Sequence, residues 1–538
     1  MATVMVMAAR QRHSLREGPR DSAELFPARA LPNHFAWVAF QTLLSVVGLL
    51  PQVAWAQAEA GGAPNISVVP RVSISENYSN NVFLQSSGKQ SELTTQISPG
   101  ISINSRAGRI KGTFDYSLNE LLYARNTSAR QSQNSLNTAG SIEALDNWAF
   151  IDFSGNISQQ AISAFGTQSN NNLAINGNSA ETSVYRLSPY FRGRLGGFAD
   201  YVARYSWSTT RSGVSTLANA QTKESSLALN GVTRGPLGWS ADANSQALTY
   251  SSGRPVANDR LKGTLIYAFS PQVNVSLIGS RESNNYTTAA KESYSSAGAG
   301  LNWAISESTK LSAQLERRSF GQSHNLSFEH RTARTAWRFS DSQDVVATPV
   351  QSGSTVLGSL SDLLYGQFAS IESDPFKRTQ LVNQFMQNNG FNSNAKVISN
   401  FLASSASLQR RQEASFALLG IRDTVSFSLT RGTNSQLSSF VTGFDDLSNS
   451  SIIRQTGVSI VYAHRLTPDA AFNVVAARQN TSGAVGLQST SLRSVDVTLS
   501  GRVGRQMNAS IGARRVFFDS ATNPYTETGV TGNLSVQF

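Results

Sequence analysis

Ser494-Val-Asp-Val-Thr-Leu-Ser-Gly-Arg-Val503 is the stretch that decides the fold. In an extended chain Val495, Val497, Leu499, Gly501 and Val503 share one face, and Ser494, Asp496, Thr498, Ser500 and Arg502 share the other. Its length, about ten residues, is what a tilted strand needs to cross a bilayer. A soluble sheet turns its apolar face to a core; a membrane barrel turns it to lipid and keeps small polar residues for the lumen. The next segment repeats the pattern, with Met507, Ala509, Ile511 and Ala513 against Asn508, Ser510, Gly512 and Arg514. Leu261, Gly263, Leu265, Tyr267 and Phe269 oppose Lys262 and Thr264, and Val273, Val275 and Leu277 oppose Asn274 and Ser276. The chain also ends this way: Val530, Leu534, Val536 and Phe538 share a face with Gly532, opposite Thr531, Asn533, Ser535 and Gln537. An alternating strand that stops on a terminal Phe has the pattern of the signal read by barrel-assembly machinery. It is expected to close a barrel against a first strand near Ile66 to Ile74.

Composition fits this reading. Charged residues are 15% of the chain, there is no cysteine, and glycine numbers 40. Ser, Asn, Thr and Gln take the place of charge. A mean hydropathy of -0.23 excludes a bundle of membrane helices. The one long apolar run, Phe35 to Leu50, follows Arg10, Arg12, Arg16, Arg20 and Arg29 and precedes Ala54-Trp-Ala56. Basic residues, a short apolar region and an A-x-A site read as a signal peptide over residues 1–56, leaving 57–538 as an outer-membrane β-barrel. The net charge of +11 raises the question of nucleic acid, but the basic residues are scattered over alternating strands. No nucleic-acid partner is expected.

Connections between the segments alternate in length. Short ones with turn chemistry are Arg194 to Gly197, Arg234 to Leu237, Ser270 to Gln272, Ser306 to Ser308, Gly420 to Asp423, Leu466 to Asp469 and Gly504-Arg505. Thr167 to Glu181, Thr210 to Lys223 and Arg431 to Ser450 are long and rich in small polar residues. Short periplasmic turns and long exterior loops are the outer-membrane arrangement. The segments predict about 20–22 strands, an even number, and the upper figure is preferred. Alternation begins about ten residues after the cleavage site, which leaves no room for an amino-terminal plug and disfavours a TonB-dependent receptor. Trp148, Tyr190, Phe191, Phe269, Trp303, Trp337, Phe339, Phe517 and Phe518 sit near strand ends, where aromatic girdles belong.

One region abandons the period of two. Leu357, Leu360, Leu363, Leu364 and Phe368 follow helical spacing, and Ser373-Asp-Pro375 opens a second helix with Leu381, Val382 and Phe385, ending at Asn388-Asn-Gly390. Residues 353–396 are therefore expected to be a two-helix insertion in an exterior connection. The strand from Thr332 to Phe339 is expected to descend to a turn at Asp341-Ser-Gln-Asp344 just before it. The helices could constrict the barrel mouth, meet a partner, or pack on themselves.

Three stretches carry a family resemblance: Asn65 to Val82, with Glu76-Asn-Tyr-Ser-Asn-Asn-Val82; Ser359-Leu-Ser-Asp-Leu-Leu-Tyr365 with Asp374-Pro-Phe-Lys-Arg378; and Ser407-Leu-Gln-Arg-Arg-Gln-Glu413 leading into Ala417-Leu-Leu-Gly420. Together they resemble the outer-membrane proteins associated with the PEP-CTERM/exosortase system. The resemblance implies a Gram-negative outer-membrane barrel that accompanies exopolysaccharide and exosortase genes. It implies no catalytic residues.

No chemistry of an enzyme stands out. His324, His330 and His464 lack a serine two residues on, as an outer-membrane phospholipase dyad would want, and read as strand-end or lumen residues. Neither metal-ligand spacing nor a phosphate loop is present, so no cofactor is expected. Arg318, Arg334, Arg338, Arg502 and Arg514 fall on polar faces and are candidates to project into the lumen, either as a cationic field for anionic solutes or as partners of lumen acids such as Glu316 and Asp496. Arg410 and Arg411 cannot both be lumenal. The expected function is a pore for a polar solute, an anionic one included, or for polysaccharide in an exopolysaccharide system. The alternative is a structural or adhesive protein whose loops and insertion bind polysaccharide or sorted proteins. Expected partners are outer-membrane lipid and lipopolysaccharide, the assembly machinery through the last strand, and exopolysaccharide or an export apparatus.

Overall fold

The computed structural model describes residues 66–538, apart from 107, 215–218, 233–234, 252, 348–349, 352–359, 369–371, 373, 389–400, 404, 438–444 and 485–487. The signal-peptide reading, and the expectation about a plug ahead of the strands, lie outside the described residues.

The first strands are β1 (Ile66–Ser79), β2 (Glu92–Ser105), β3 (Ile110–Tyr123), β4 (Gln131–Leu145), β5 (Ala149–Ala161) and β6 (Ser179–Leu195). Next come β7 (Ala199–Ser212), β8 (Ala220–Gly231), β9 (Leu237–Tyr250), β10 (Val256–Ser270), β11 (Val273–Asn284) and β12 (Glu292–Ser306). They are followed by β13 (Thr309–Arg318), β14 (Gly321–Arg331), β15 (Thr335–Val346), and two strands of two residues each, β16 (Val350–Gln351) and β17 (Phe401–Leu402). The last are β18 (Ser407–Leu419), β19 (Asp423–Gln436), β20 (Ile452–Thr467), β21 (Ala470–Ser482), β22 (Ser489–Arg502), β23 (Met507–Ser520) and β24 (Tyr525–Gln537). Setting β16 and β17 aside, each strand pairs antiparallel with the next, β15 pairs directly with β18, and β24 pairs with β1, which closes a barrel of 22 strands. At the seam Gly529 stands opposite Ser79 and Gln537 opposite Arg71, and the Phe538 amide donates to the Pro70 carbonyl at 2.9 Å.

Alternation places Leu261, Leu265, Phe269, Leu277, Val495, Leu499, Ile511, Val530, Leu534 and Phe538 on the outside, all exposed, while Ser428, Ser459, Asn473, Ser494 and Ser500 are buried within. That is a soluble protein turned inside out. A closed sheet leaves no unpaired edge, and an apolar outer wall needs hydrocarbon around it. The protein is a bacterial outer-membrane β-barrel. Its short turns, among them residues 146–148, 196–198, 271–272 and 468–469, share one rim with the amino end of β1 and the carboxyl end of β24, which makes that rim periplasmic. Asn147 and Gly196 take these turns through left-handed backbone, with φ of 57° and 55°. The long connections, residues 80–91, 162–178, 347–406 and 437–451, share the opposite, exterior rim.

Trp148, Phe191, Phe269, Trp303 and Trp337 are exposed at the periplasmic ends of their strands and form a girdle there. Phe339 and Phe517 also face outward. Tyr190 and Phe518 do not: Tyr190 stacks on Phe150, and Phe518 is buried against Tyr525.

A second expectation is corrected. Asp341 to Asp344 form no turn but lie inside β15, which rises from residues 332–334 instead of descending. The polar run stays extended because its carboxylate is satisfied across the sheet. Asp341 accepts from Arg410 at 2.8 Å and Gln412 at 2.9 Å and lies 3.0 Å from His324 Nε2. The insertion still leaves from the exterior rim, because β15 climbs to it.

Candidate functional site

Lumen-facing arginines meet carboxylates. Arg318 donates through Nε and a terminal nitrogen to Glu282 at 2.9 and 3.0 Å and reaches Asp344 at 2.7 Å. Arg514 donates to Glu527 at 2.8 Å, and the Ser79 hydroxyl donates to the same oxygen at 2.7 Å. The guanidinium lies so close over Gly529 that a Cβ there would meet its Cζ and the Tyr78 carbonyl oxygen, each at 2.9 Å, so only glycine fits. Arg71 grips Asp115 with two bonds of 2.6 and 2.7 Å, and Arg260 pairs with Glu316. Arg338 reaches the Gly366 carbonyl of the insertion at 3.3 Å. Arg334 stands exposed in the turn before β15, not on a strand, and Arg502 is the exposed last residue of β22; both belong to the periplasmic rim. Of the consecutive pair, Arg411 faces inward beside Glu413, and Arg410 faces outward to Asp341.

The insertion enters this lumen. Its first helix, Leu360–Gln367, and second helix, Pro375–Asn388, form because apolar residues recur at three and four. Asp374 accepts from the Lys377 amide at 3.2 Å, capping the second helix. Leu360, Leu364, Phe368, Val382 and Met386 are buried together, with Leu381 and Phe385 against them. The Phe368 and Phe385 rings meet edge-on at 5.5 Å, and the Arg378 guanidinium lies 4.8 Å over Tyr365, tying one helix to the other. The wall of this core is the barrel: Val461 of β20 with Val475 and Ala477 of β21, all on inward positions. Arg338, near the periplasmic end of β15, and Arg106, in the periplasmic turn after β2, hold the pair from below, the latter through Gln380. The helices therefore occupy the periplasmic half of the lumen.

Above them the mouth is crossed. β16 and β17 pair to make a neck, and Phe401 of β17 pairs in parallel with Ala161 at the exterior end of β5. Loop 162–178 folds inward over this level: the Tyr525 hydroxyl donates to the Gln168 carbonyl at 2.6 Å, and the Tyr123 hydroxyl to that of Leu173 at 3.0 Å. Asn170 donates to Asp496 at 3.3 Å. A short helix in loop 437–451, Asp446–Asn449, clamps the same loop, its Asp446 carboxylate accepting from the Ser163 hydroxyl at 2.7 Å and the Ala164 amide at 2.5 Å. Burial raises the Asp446 carboxyl above the usual carboxylate range against the pull of those two bonds. Leu447, Ile453, Phe401 and Ala164 close into an apolar cluster beside it.

No family model matches the chain, and no curated protein matches it either. Among solved structures it is similar to the siderophore receptor PirA from Pseudomonas aeruginosa, at 9% identity and a TM-score of 0.44, over 89% of this chain and 81% of that one. It is also similar to the FrpB iron transporter from Neisseria meningitidis (F3-3 variant), at 10% identity and a TM-score of 0.46, over 89% of this chain and 82% of that one. The siderophore receptor PirA from Acinetobacter baumannii gives 10% identity and a TM-score of 0.45, over 87% and 80%.

The histidines face outward, not into the lumen. His324 meets Asp341 in the outer wall, His330 lies 2.8 Å from the Thr309 hydroxyl and His464 2.7 Å from Asp423, the last two close to the periplasmic rim. The role of Asn77, Asn80 and Asn81 was not legible in the sequence. Asn77 accepts from the Thr531 hydroxyl at 2.8 Å and Asn80 from the Thr528 amide at 2.8 Å, while Asn81, fully buried, donates to the Thr526 carbonyl at 3.1 Å. Side chains of the Glu76 to Val82 stretch thus bolt the first strand to the last.

Proposed function

We propose that this protein is a gated outer-membrane pore whose gate is the pair of insertion helices. One observation carries the reading: the apolar side of that pair is buried on Val461, Val475 and Ala477 of the inner wall, in the periplasmic half of the lumen. A helical pair meant to meet a surface partner would present itself outside the barrel. This position therefore speaks against the adhesive reading as far as the insertion is concerned.

The cargo we propose is a polar solute or polysaccharide leaving the cell, within the PEP-CTERM/exosortase and exopolysaccharide system that the sequence resemblance implies. The inward row of Ser428, Ser459, Asn473 and Ser494 suits hydroxyl-rich cargo, which exchanges hydrogen bonds with such a wall at little net cost. An anionic preference has less behind it, because Arg71, Arg260, Arg318 and Arg514 are each held by a carboxylate. No catalytic step is part of the proposal.

Planar-bilayer conductance of the whole barrel tests it against a form lacking residues 353–396. The deletion is expected to turn small or rare openings into a steady large conductance. A deleted barrel that folds and conducts no better than its parent would overturn the gate.

A further inference from the structure

Along β19 to β23 the outward aliphatic rows end at one level. Leu429, Val458, Val495 and Ile511 are exposed apolar residues of the band, and toward the exterior rim the wall turns basic, with Arg431, Arg478, Arg493 and Arg515 exposed on β19, β21, β22 and β23. Arg454 follows on β20. In β22 the ten steps from Val503 up to Arg493 rise about 25 Å once strand tilt is allowed for, the height of a membrane-facing belt. The arginines therefore lie at the outer-leaflet head groups.

The patch is not explained by the protein's own charges. Arg478 stands directly opposite Arg493, and like charges in that relation repel. Among the described residues Arg493 pairs with Asp519 at 2.6 Å, whereas Arg478, Arg515, Arg431 and Arg454 carry no ion pair. The Arg493 and Arg515 guanidinium groups lie 5.7 and 5.0 Å from the Phe517 ring centroid, so one aromatic ring holds both in place. Elsewhere some outward basic residues at this level meet acids, as Arg410 meets Asp341 and Lys291 meets Asp259, while Arg211, Lys223, Arg281 and Arg317 are exposed but face no second arginine across the ladder. On β1 and β3 the outward charges are Glu76 and Glu120.

We propose that Arg478, Arg493 and Arg515, flanked by Arg431 and Arg454, bind the phosphorylated sugar head group of an outer-leaflet glycolipid of the lipid A class. Guanidinium forks match phosphate oxygens in pairs, and two opposed arginines become favourable once a dianion lies between them. A lipid fits better than a free anion because Val495, Leu499 and Ile511 continue the same face straight down, where acyl chains would lie.

The test uses the mature barrel in detergent, stripped of lipid, with binding read by native mass spectrometry. Three probes are added at equal concentration: bisphosphorylated lipid A, the same lipid dephosphorylated, and inorganic phosphate as a competitor. The bisphosphorylated lipid is expected to bind, with loss of about tenfold or more on dephosphorylation and no displacement by phosphate. The combined Arg478→Gln, Arg493→Gln, Arg515→Gln variant is expected to lose binding to the same degree while keeping heat-modifiable migration. Equal binding of the dephosphorylated lipid, displacement by phosphate, or full binding by the folded variant would each overturn the assignment. The two lipid arms use unaltered protein, so they decide the matter even if the variant does not fold.

Discussion

Cutting back Leu360 and Leu364 together should release the gate while sparing the barrel. Both side chains are 0% exposed and belong to the buried cluster that joins the two helices to the wall. Truncating one such leucine to alanine costs about 2–5 kcal/mol, part of it lost transfer energy and part the cavity left behind. The two sites share neighbours, so their effects do not simply add; about 4–6 kcal/mol is a fair sum for Leu360→Ala with Leu364→Ala. At 1.4 kcal/mol per factor of ten, the ratio of released to docked gate rises by about a thousandfold or more. None of this touches the strand ladders, which neither leucine enters. Single-barrel recording in planar bilayers should show the variant open for long periods where the parent opens briefly, and heat-modifiable migration should stay the same. Identical current traces from parent and variant, with normal migration, would mean that these helices do not control passage.

Further expectations concern the seam, the mouth and assembly. Arg514→Ala leaves Glu527 buried with only the Ser79 hydroxyl, a loss of about 3 kcal/mol that should lower the temperature at which migration on gels changes; an unchanged temperature refutes the pairing. Tyr525→Phe removes one bond to loop 162–178, worth about 1 kcal/mol, and should speed amide exchange in residues 167–175 without affecting the wall. Because burial raises the Asp446 carboxyl, its ionised form disfavours the closed mouth. The closed form is therefore least opposed below the ordinary carboxylate range and loses ground as pH rises from there toward the raised value. Conductance should increase over that interval, and Asp446→Asn should flatten the change; a slope unaltered in the variant assigns the effect elsewhere. Removing Phe538 should slow insertion by the assembly machinery without altering the conductance of barrels that do insert, and equal insertion rates would sink that expectation.

How far the sequence could be read depended on the period involved. Alternation in Ser494 to Arg502 needs only the geometry of a strand, and the rule carries around the barrel to its closure at Phe538. Helical spacing from Leu360 to Phe368 likewise showed which residues share a face, but not what covers it. A signal for the cover was present: Val461, Val475 and Ala477 are apolar on the side of β20 and β21 where neighbours such as Ser459 and Asn473 are polar. The Ser340 to Asp344 run misleads because turn chemistry and a cross-strand charge network use the same residues, and only the register with Arg410 and Gln412 separates them. Arg410 and Arg411 show parity at its most useful, since two consecutive strand residues must part company. Arg334 shows its limit, because alternation says nothing once a residue lies in a turn.

Both arms of the insertion leave the wall at the same exterior rim, and its neck is fastened across the mouth to Ala161, while the helices hang in the periplasmic half above Arg106. Cargo arriving from below would lift the helices toward the side from which they are suspended. Cargo arriving from above would draw the neck taut and press the pair down onto its seat. On the gate proposed above, a stopper hung in this way acts as a check valve. Currents through a single barrel should accordingly rectify, larger for flow out of the cell than into it.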